Sequence, residues 1–215
     1  MAVNCILVNI MAEANNTMFR IDNLAPGLAM FGTAFMALFS GMLLAKDRTS
    51  SFLVRLFASP MSSLDFILGY TLPLIIMALA QSAVTFIAAC ILGLQLTIWL
   101  LPAIFATAFT SLLFVSFGLL FGSMMNDKAV GGVCGALLTN VAGWLSGVFI
   151  PLDLIGGVFK KVADILPFYH SVQGIKAVLS GSFGPALSHL GVTLAYIVVI
   201  FAFAVIVFKR KMNGD

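Results

Sequence analysis

Charge is what this sequence has least of. Only 9% of its 215 residues are Asp, Glu, Lys or Arg, where a soluble domain carries about 25%. With 61% hydrophobic residues and a mean hydropathy of +1.13, a soluble globule could not clothe its apolar surface. A soluble enzyme, a disordered tail and a nucleic-acid-binding protein are thereby excluded. Cysteine is scarce as well: Cys5, Cys90 and Cys134 lie far apart, no pair has metal-ligand spacing, and they read as small apolar residues. Catalytic patterns are missing. There is no G-x-x-x-x-G-K-[ST] phosphate loop, no H-E-x-x-H and no G-x-S-x-G, so the chain has no catalytic constellation and does not bind ATP through a phosphate loop. Acidic residues avoid the long apolar runs: Asp47, Asp65, Asp127, Asp153 and Asp164 fall in loops or at run ends. A proton- or sodium-driven carrier usually needs an intramembrane carboxylate, so this placement argues against one. The apolar stretch at 2–12 is too short to span a bilayer and lacks a basic flank, so it is not a cleavable signal.

What the sequence has in abundance is apolar runs near 20 residues, the length that crosses a hydrocarbon core about 30 Å thick. They predict an all-α integral membrane protein with five transmembrane helices, at 26–45, 66–94, 98–124, 129–150 and 188–208. Pro73 predicts a kink in the second, and Pro102 is tolerated in the first turn of the third. No linker, repeat or low-complexity tract divides residues 1–215, which form one membrane domain.

Basic residues set the orientation. Segments 46–65, 125–128 and 209–215 carry Lys46, Arg48, Arg55, Lys128, Lys209, Arg210 and Lys211. The opposite segments, 1–25, 95–97 and 151–187, are together longer but carry only Arg20, Lys160, Lys161 and Lys176. The positive-inside rule places the first set, and the C-terminus, in the cytoplasm. Five spans then put the N-terminus outside.

Two extramembrane segments are not ordinary loops. In 46–65, Phe52, Leu53, Leu56 and Phe57 recur at helical spacing beside Arg48 and Arg55, predicting a short amphipathic helix ended by Ser59-Pro60. In 151–187, one apolar stripe (Leu154, Val158, Val162, Leu166) stops at Pro167. A second (Phe168, Val172, Ile175, Leu179) ends at Ser180-Gly181. Each run is about 14 residues, or about 21 Å of helix, too short to span. They predict either a re-entrant helical hairpin in the outer half of the bilayer, which hints at a translocation mouth, or a plain interfacial hairpin. His170 and His189 fall just outside the membrane on this map, as solvated interfacial side chains.

Within the spans, Gln81 and Asn140 are the notable amides. Such groups are costly in hydrocarbon and should face protein or a cavity, as helix–helix glue or as the lining of a substrate path. Gly118 with Gly122, Gly131 with Gly135, and Gly143 with Gly147 form three G-x-x-x-G pairs that predict close helix packing, within the chain or at a homodimer seam.

Taken in order, three stretches resemble the membrane permease of type-2 ATP-binding-cassette (ABC) exporters. Arg48-Thr49-Ser50, Leu53, Arg55-Leu56-Phe57-Ala58-Ser59-Pro60 and Ile67-Leu68-Gly69-Tyr70 are similar to the family's cytoplasmic coupling segment. Leu145-Ser146-Gly147-Val148-Phe149-Ile150-Pro151-Leu152 is similar to its signature at the outer end of the fifth of six spans. Leu166-Pro167-Phe168-Tyr169-His170, Gly174-Ile175-Lys176 and Ser180-Gly181 look like its outer re-entrant hairpin. The resemblance covers about residues 25–210. It implies an export permease that dimerises, with itself or a sister permease, and takes its energy from a separate cytoplasmic ABC ATPase carrying the ATP and magnesium. This chain would hold no cofactor. Arg48, Phe52, Leu53, Arg55, Leu56 and Pro60 would couple to that ATPase. Gln81 and Asn140 would line the substrate path, and Phe149, Pro151 and Pro167 would form the outer gate. The cargo class is a drug, lipid-linked glycan, peptide or other amphiphile, and the location a plasma membrane. A non-transporting anchor or regulator built on the same scaffold is the alternative. Two departures stand out. Where the family often has Gly-Thr-Leu-Glu this chain has Ser51-Phe52-Leu53-Val54, without the acid. The family's span ahead of the one matching 26–45 also has no counterpart here, which accounts for the odd span count.

Overall fold

The computed structural model describes residues 20–49, 63–149, 152 and 156–214. Among them all regular structure is helical: α1 (Ile21–Thr49), α2 (Ser63–Ile91), α3 (Leu100–Met124), α4 (Asp127–Val130), a π-helical segment (Gly131–Leu138), α5 (Thr139–Leu145), α6 (Gly157–Ile165), α7 (Pro167–Leu179) and α8 (Phe183–Gly214). Four helices are long and apolar enough to cross a membrane, over Ile21–Arg48, Leu68–Ile91, Leu100–Met124 and Phe183–Arg210. They correspond to the expected spans at 26–45, 66–94, 98–124 and 188–208, with the first and last longer at both ends. Pro26 and Pro73 lie inside α1 and α2, and Pro102 sits in the first turn of α3.

The fifth expected span, 129–150, needs correction. It is not one α-helix. Asn126 caps α4 by accepting from the Ala129 amide at 2.9 Å. The coil then widens over Gly131–Leu138 before tightening again in α5, and helix ends at Leu145 rather than 150. Thr139 Oγ1 donates to the Cys134 carbonyl five residues back, at 2.9 Å, the spacing of a π register. Gly131, Gly132 and Gly135 leave this wider coil lightly clothed.

The core is built around α3. Its faces meet α1, α2, α7 and α8, and Leu113, Phe114, Val115 and Leu119 are wholly buried. Its buried hydroxyls cost little because each bonds back into the helix: Thr107 to the Ala103 carbonyl at 2.8 Å, Ser111 to Ala108 at 2.6 Å and Ser116 to Leu112 at 2.7 Å. α1 crosses α3 at backbone contact. A Cβ placed on Gly118 would fall 2.2 Å from the Ala37 carbonyl oxygen, and one on Gly122 would fall 2.5 Å from that of Gly41. Ser40 Oγ reaches across to the Val115 carbonyl at 3.3 Å. Gly118 and Gly122 thus sit at a backbone crossing within the chain. The nearest neighbours of Gly135 and Gly143 are side chains instead. Gly131 has open space around it, and Gly147 is a turn residue with φ 73°. Gly135 lies tight against the Leu38 side chain, where a Cβ would fall 3.3 Å from it, and Gly143 lies tighter still against Phe149 and Phe31, at 2.8 and 3.0 Å.

α6 and α7 are the two short helices expected within 151–187, joined at Leu166 with Pro167 opening α7. α7 is wedged among α1, α3 and α8, with Phe168, Val172 and Ile175 buried. At 13 residues it is about 20 Å long and cannot span alone. It stops where expected. Gly181 takes φ 74°, which only glycine adopts cheaply, and the Ser182 amide closes onto the Ala177 carbonyl at 2.8 Å.

Candidate functional site

Three places hold the residues singled out from sequence. The first is the end of the bundle where α1 and α3 finish. The Arg48 guanidinium donates to the Ser123 carbonyl and, at 3.1 Å, to the Met125 carbonyl. These are carbonyls that α3 cannot bond internally, and a cation there also meets the negative end of the helix dipole. Arg48 is therefore engaged within the chain. Asp47 accepts a hydrogen bond from the Tyr70 hydroxyl, joining α1 to the start of α2. Phe208 of α8 packs into the same cluster as Leu44, Tyr70 and Leu119. Lys46, Arg48, Lys128, Lys209 and Arg210 thus share one end of the bundle, as the charge map requires. The other residues expected to couple to an ATPase, Phe52, Leu53, Arg55, Leu56 and Pro60, lie outside the described residues, as does most of 46–65.

The second place is mid-bundle. Gln81 of α2 lies against α1: its Nε2 is 3.4 Å from the Ala29 carbonyl and occupies the space a side chain on Gly32 would need. Its Oε1 is buried and, among the described residues, has no hydrogen-bond partner. Asn140 lies elsewhere. Its Nδ2 donates to the Ala136 carbonyl at 2.7 Å, and the side chain is exposed. It shares that exposed face with Leu137, Val141 and Trp144. The two amides are not brought together.

The third place is the opposite end. Phe149 meets Phe31 of α1 edge-on, with ring centroids 5.2 Å apart, and Phe31 meets Phe35 in the same way at 6.1 Å. Phe149 and Phe35 stay largely exposed. Pro167 is buried at the start of α7, and Pro151 lies outside the described residues. The histidines, expected to be solvated singly, are instead paired: His170 Nδ1 and His189 Nδ1 are 2.8 Å apart, and His170 Nε2 is 2.8 Å from the Asp164 carbonyl oxygen. Tyr169 stands edge-on to both rings. The pair fastens α7 to α8, and the Tyr196 hydroxyl of α8 donates to the Ile165 carbonyl at the end of α6 at 2.9 Å. Nineteen residues separate the two histidines, and no local pattern in the sequence announces their meeting.

Among the described residues, no group of three or more His, Cys, Asp or Glu side chains is placed to hold a metal. They offer an exposed face with Trp144 and one amide, two short helices at the opposite end, and a cationic end where α1 finishes and α2 starts. Comparison with known proteins adds the following. A family model described as ABC-2 type transporter matches residues 2–180. Among curated proteins, the chain is 28% identical over 127 residues to nodulation protein J of Rhizobium leguminosarum bv. viciae, covering 59% of this chain and 49% of that one. It is 27% identical over 129 residues to nodulation protein J of Rhizobium meliloti (strain 1021), covering 59% and 48%. The protein of the same name from Rhizobium leguminosarum bv. trifolii is 28% identical over 138 residues, covering 63% and 52%. The chain spans about half the length of these curated relatives. No solved structure matches it.

Proposed function

The chain belongs to the ABC-2 type transporter family, and from that premise we propose that it is the membrane-spanning permease subunit of an ATP-driven exporter. Among the described residues, four helices are long and apolar enough to cross a membrane. The hydrolysing subunit, with its ATP and magnesium, would be a separate cytoplasmic ABC ATPase, and the permease would act as a dimer with itself or a sister chain. Its place would be the cell membrane, with the C-terminus inside. Support for that orientation comes from Lys46, Arg48, Lys128, Lys209 and Arg210 gathered at one end.

One observation carries the coupling part of the reading: the Arg48 guanidinium on the Ser123 and Met125 carbonyls. It ties the end of α1 to the end of α3, so a push delivered to α1 would reach two spans. Phe52, Leu53 and Leu56 would anchor the segment in a groove of the ATPase, as an amphipathic helix does. The exposed face holding Leu137, Asn140, Val141 and Trp144, with Phe35 and Phe149 on neighbouring elements, favours a hydrophobic or amphipathic cargo. Gln81, with its unsatisfied oxygen, would serve the same path. Phe149, Pro151 and Pro167 would bound the exit.

The test is to purify tagged wild type and Leu56→Asp in mild detergent from native membranes. Co-purifying ATPase and vanadate-sensitive hydrolysis would be scored. We expect wild type to bring down a stoichiometric, active ATPase, and the variant to insert normally but lose it. Unchanged recovery with the variant would overturn the coupling assignment. A bound ATPase without turnover would point to a non-transporting anchor or regulator.

A further inference from the structure

The end of the bundle that the charge map places outside holds a cavity of about 380 Å³ for which the transport reading has no use. Three elements wall it. Arg20 and Asp22 stand at the start of α1, Gln95 and Thr97 in the connection from α2 to α3, and Lys176 and Ser180 at the end of α7. Arg20 and Asp22 are exposed and pair with each other at 3.2 Å. Lys176 is different. It is half-buried, and among the described residues its ammonium has no hydrogen-bond or ion-pair partner. Burial pulls it below the usual lysine range. A desolvated cation without an answering charge is an unfavourable arrangement that a bound anion relieves. The two cations outnumber the single carboxylate on the wall. Gln95 and Thr97 are exposed and add neutral donors. Ser180 Oγ already donates within its own turn, to the Ala177 carbonyl at 3.0 Å. The space is far larger than one phosphate group, so it admits a phosphate with a glycerol or sugar attached.

We propose, building on the membrane orientation given above, that this cavity binds the phosphate-bearing head group of an anionic amphiphile, with Lys176 as its counter-charge. The head group enters from the outer surface and displaces water from around the ammonium. The same chemistry is offered by an outer-leaflet phospholipid and by free phosphate, and the two are separable.

The experiment uses the full chain in mild detergent with native mass spectrometry. Phosphatidylglycerol and phosphatidylcholine are added in equal amounts. Wild type should retain the anionic lipid about tenfold over the zwitterionic one, because the choline cation of the latter offsets the same phosphate charge beside Lys176 and Arg20, a difference about the size of one charge-assisted interaction. Lys176→Gln should bring the ratio near one, and Lys176→Arg should restore it. Thr97→Asp, an exposed substitution that sets a carboxylate in the cavity, should also lower it without touching Lys176. That variant answers the question even if Lys176→Gln fails to fold. Equal retention of phosphatidylglycerol by wild type, Lys176→Gln and Thr97→Asp overturns the proposal. Millimolar inorganic phosphate that displaces the lipid identifies the phosphate alone as sufficient, and its failure to do so makes the lipid's glycerol part of the ligand. No ATPase is needed, so a failed co-purification would sink the transport reading and leave these ratios as they are.

Discussion

Replacing Gly118 by alanine adds one methyl group to a place where none fits. That methyl would lie 1.9 Å from Ser40 Oγ and 2.2 Å from the Ala37 carbonyl oxygen. Ser40 can rotate away, at the loss of its bond to the Val115 carbonyl, worth about 0.6 kcal/mol between membrane helices. The Ala37 carbonyl is backbone inside α1 and cannot rotate, so α1 and α3 must separate. Overpacking of this kind costs roughly 1–3 kcal/mol, and with the lost bond the total is about 2–4 kcal/mol. For a chain of this size that lowers the melting temperature on the order of 5–10 °C. The control is Gly191→Ala in α8. There a Cβ meets nothing within 4 Å, and alanine is favoured over glycine in a helix by about 0.5–1 kcal/mol. The two substitutions are chemically identical and should shift stability in opposite directions. Heating each variant in mild detergent and following its monodisperse peak by fluorescence-detected size exclusion measures this directly. A Gly118→Ala protein as stable as Gly191→Ala would refute the close crossing.

Three other perturbations bear on the remaining sites. Arg48→Ala frees two α3 carbonyls from a charged donor and should cost about 1–3 kcal/mol, seen as faster amide exchange at both helix ends around residues 44–49 and 120–126; unchanged protection there would show that the cap holds nothing. The histidine clamp should fail in acid. His170 Nε2 faces only a carbonyl, so it carries a proton and leaves Nδ1 to accept from His189 Nδ1. Burial, and after it the facing His170 ring, holds His189 below the ordinary imidazole value of about 6.5, so the native clamp favours the neutral ring. The clamp therefore holds at neutral pH and weakens as pH falls below that value, where the unfolded ring takes a proton more readily than the folded one. Protection of α7 amides, corrected for the intrinsic pH dependence of exchange, should fall in acid for wild type and be low at every pH in His170→Leu. A wild-type profile without pH dependence would dismiss the clamp. Asn140→Leu should reduce export without reducing the amount of protein, and an unaltered export rate would leave Asn140 as a surface amide of its own helix.

How much of this could be read beforehand depended on how local the signal was. Run length and hydropathy located four spans because each is set by its own residues. The two short helices near 151–187 were legible because Pro167 and Ser180-Gly181 punctuate them. The interval from 127 to 145 was not, since an apolar, glycine-rich run satisfies both an α and a π register, and the wider register over Gly131–Leu138 shows only in the folded backbone. G-x-x-x-G spacing was equally present at 118–122, 131–135 and 143–147. It meant backbone contact only where Gly41 and Ala37 of another helix happened to face it. The partners of Arg48 and of His170 lie 75 and 19 residues away, beyond the reach of any periodic pattern. The membership of the family was legible from residues 48–70, 145–152 and 166–181 together, although part of the first stretch falls outside the described residues.

The crossing of α1 and α3 has a mechanical side. Two rods touching at a single point can pivot freely, but two rods fastened twice cannot shear past one another. Here the glycine contact makes one fastening along the length and the Arg48 cap makes another at the tip. The pair is accordingly a stiff beam, and within the chain the apolar stretches of α1 and α3 are 56% and 61% buried. Those of α2 and α8 are only 28% and 17% buried, so they are held far more loosely. A displacement imposed at the end of α1 is therefore shared with α3, while α2 and α8 have less packing within the chain to resist it.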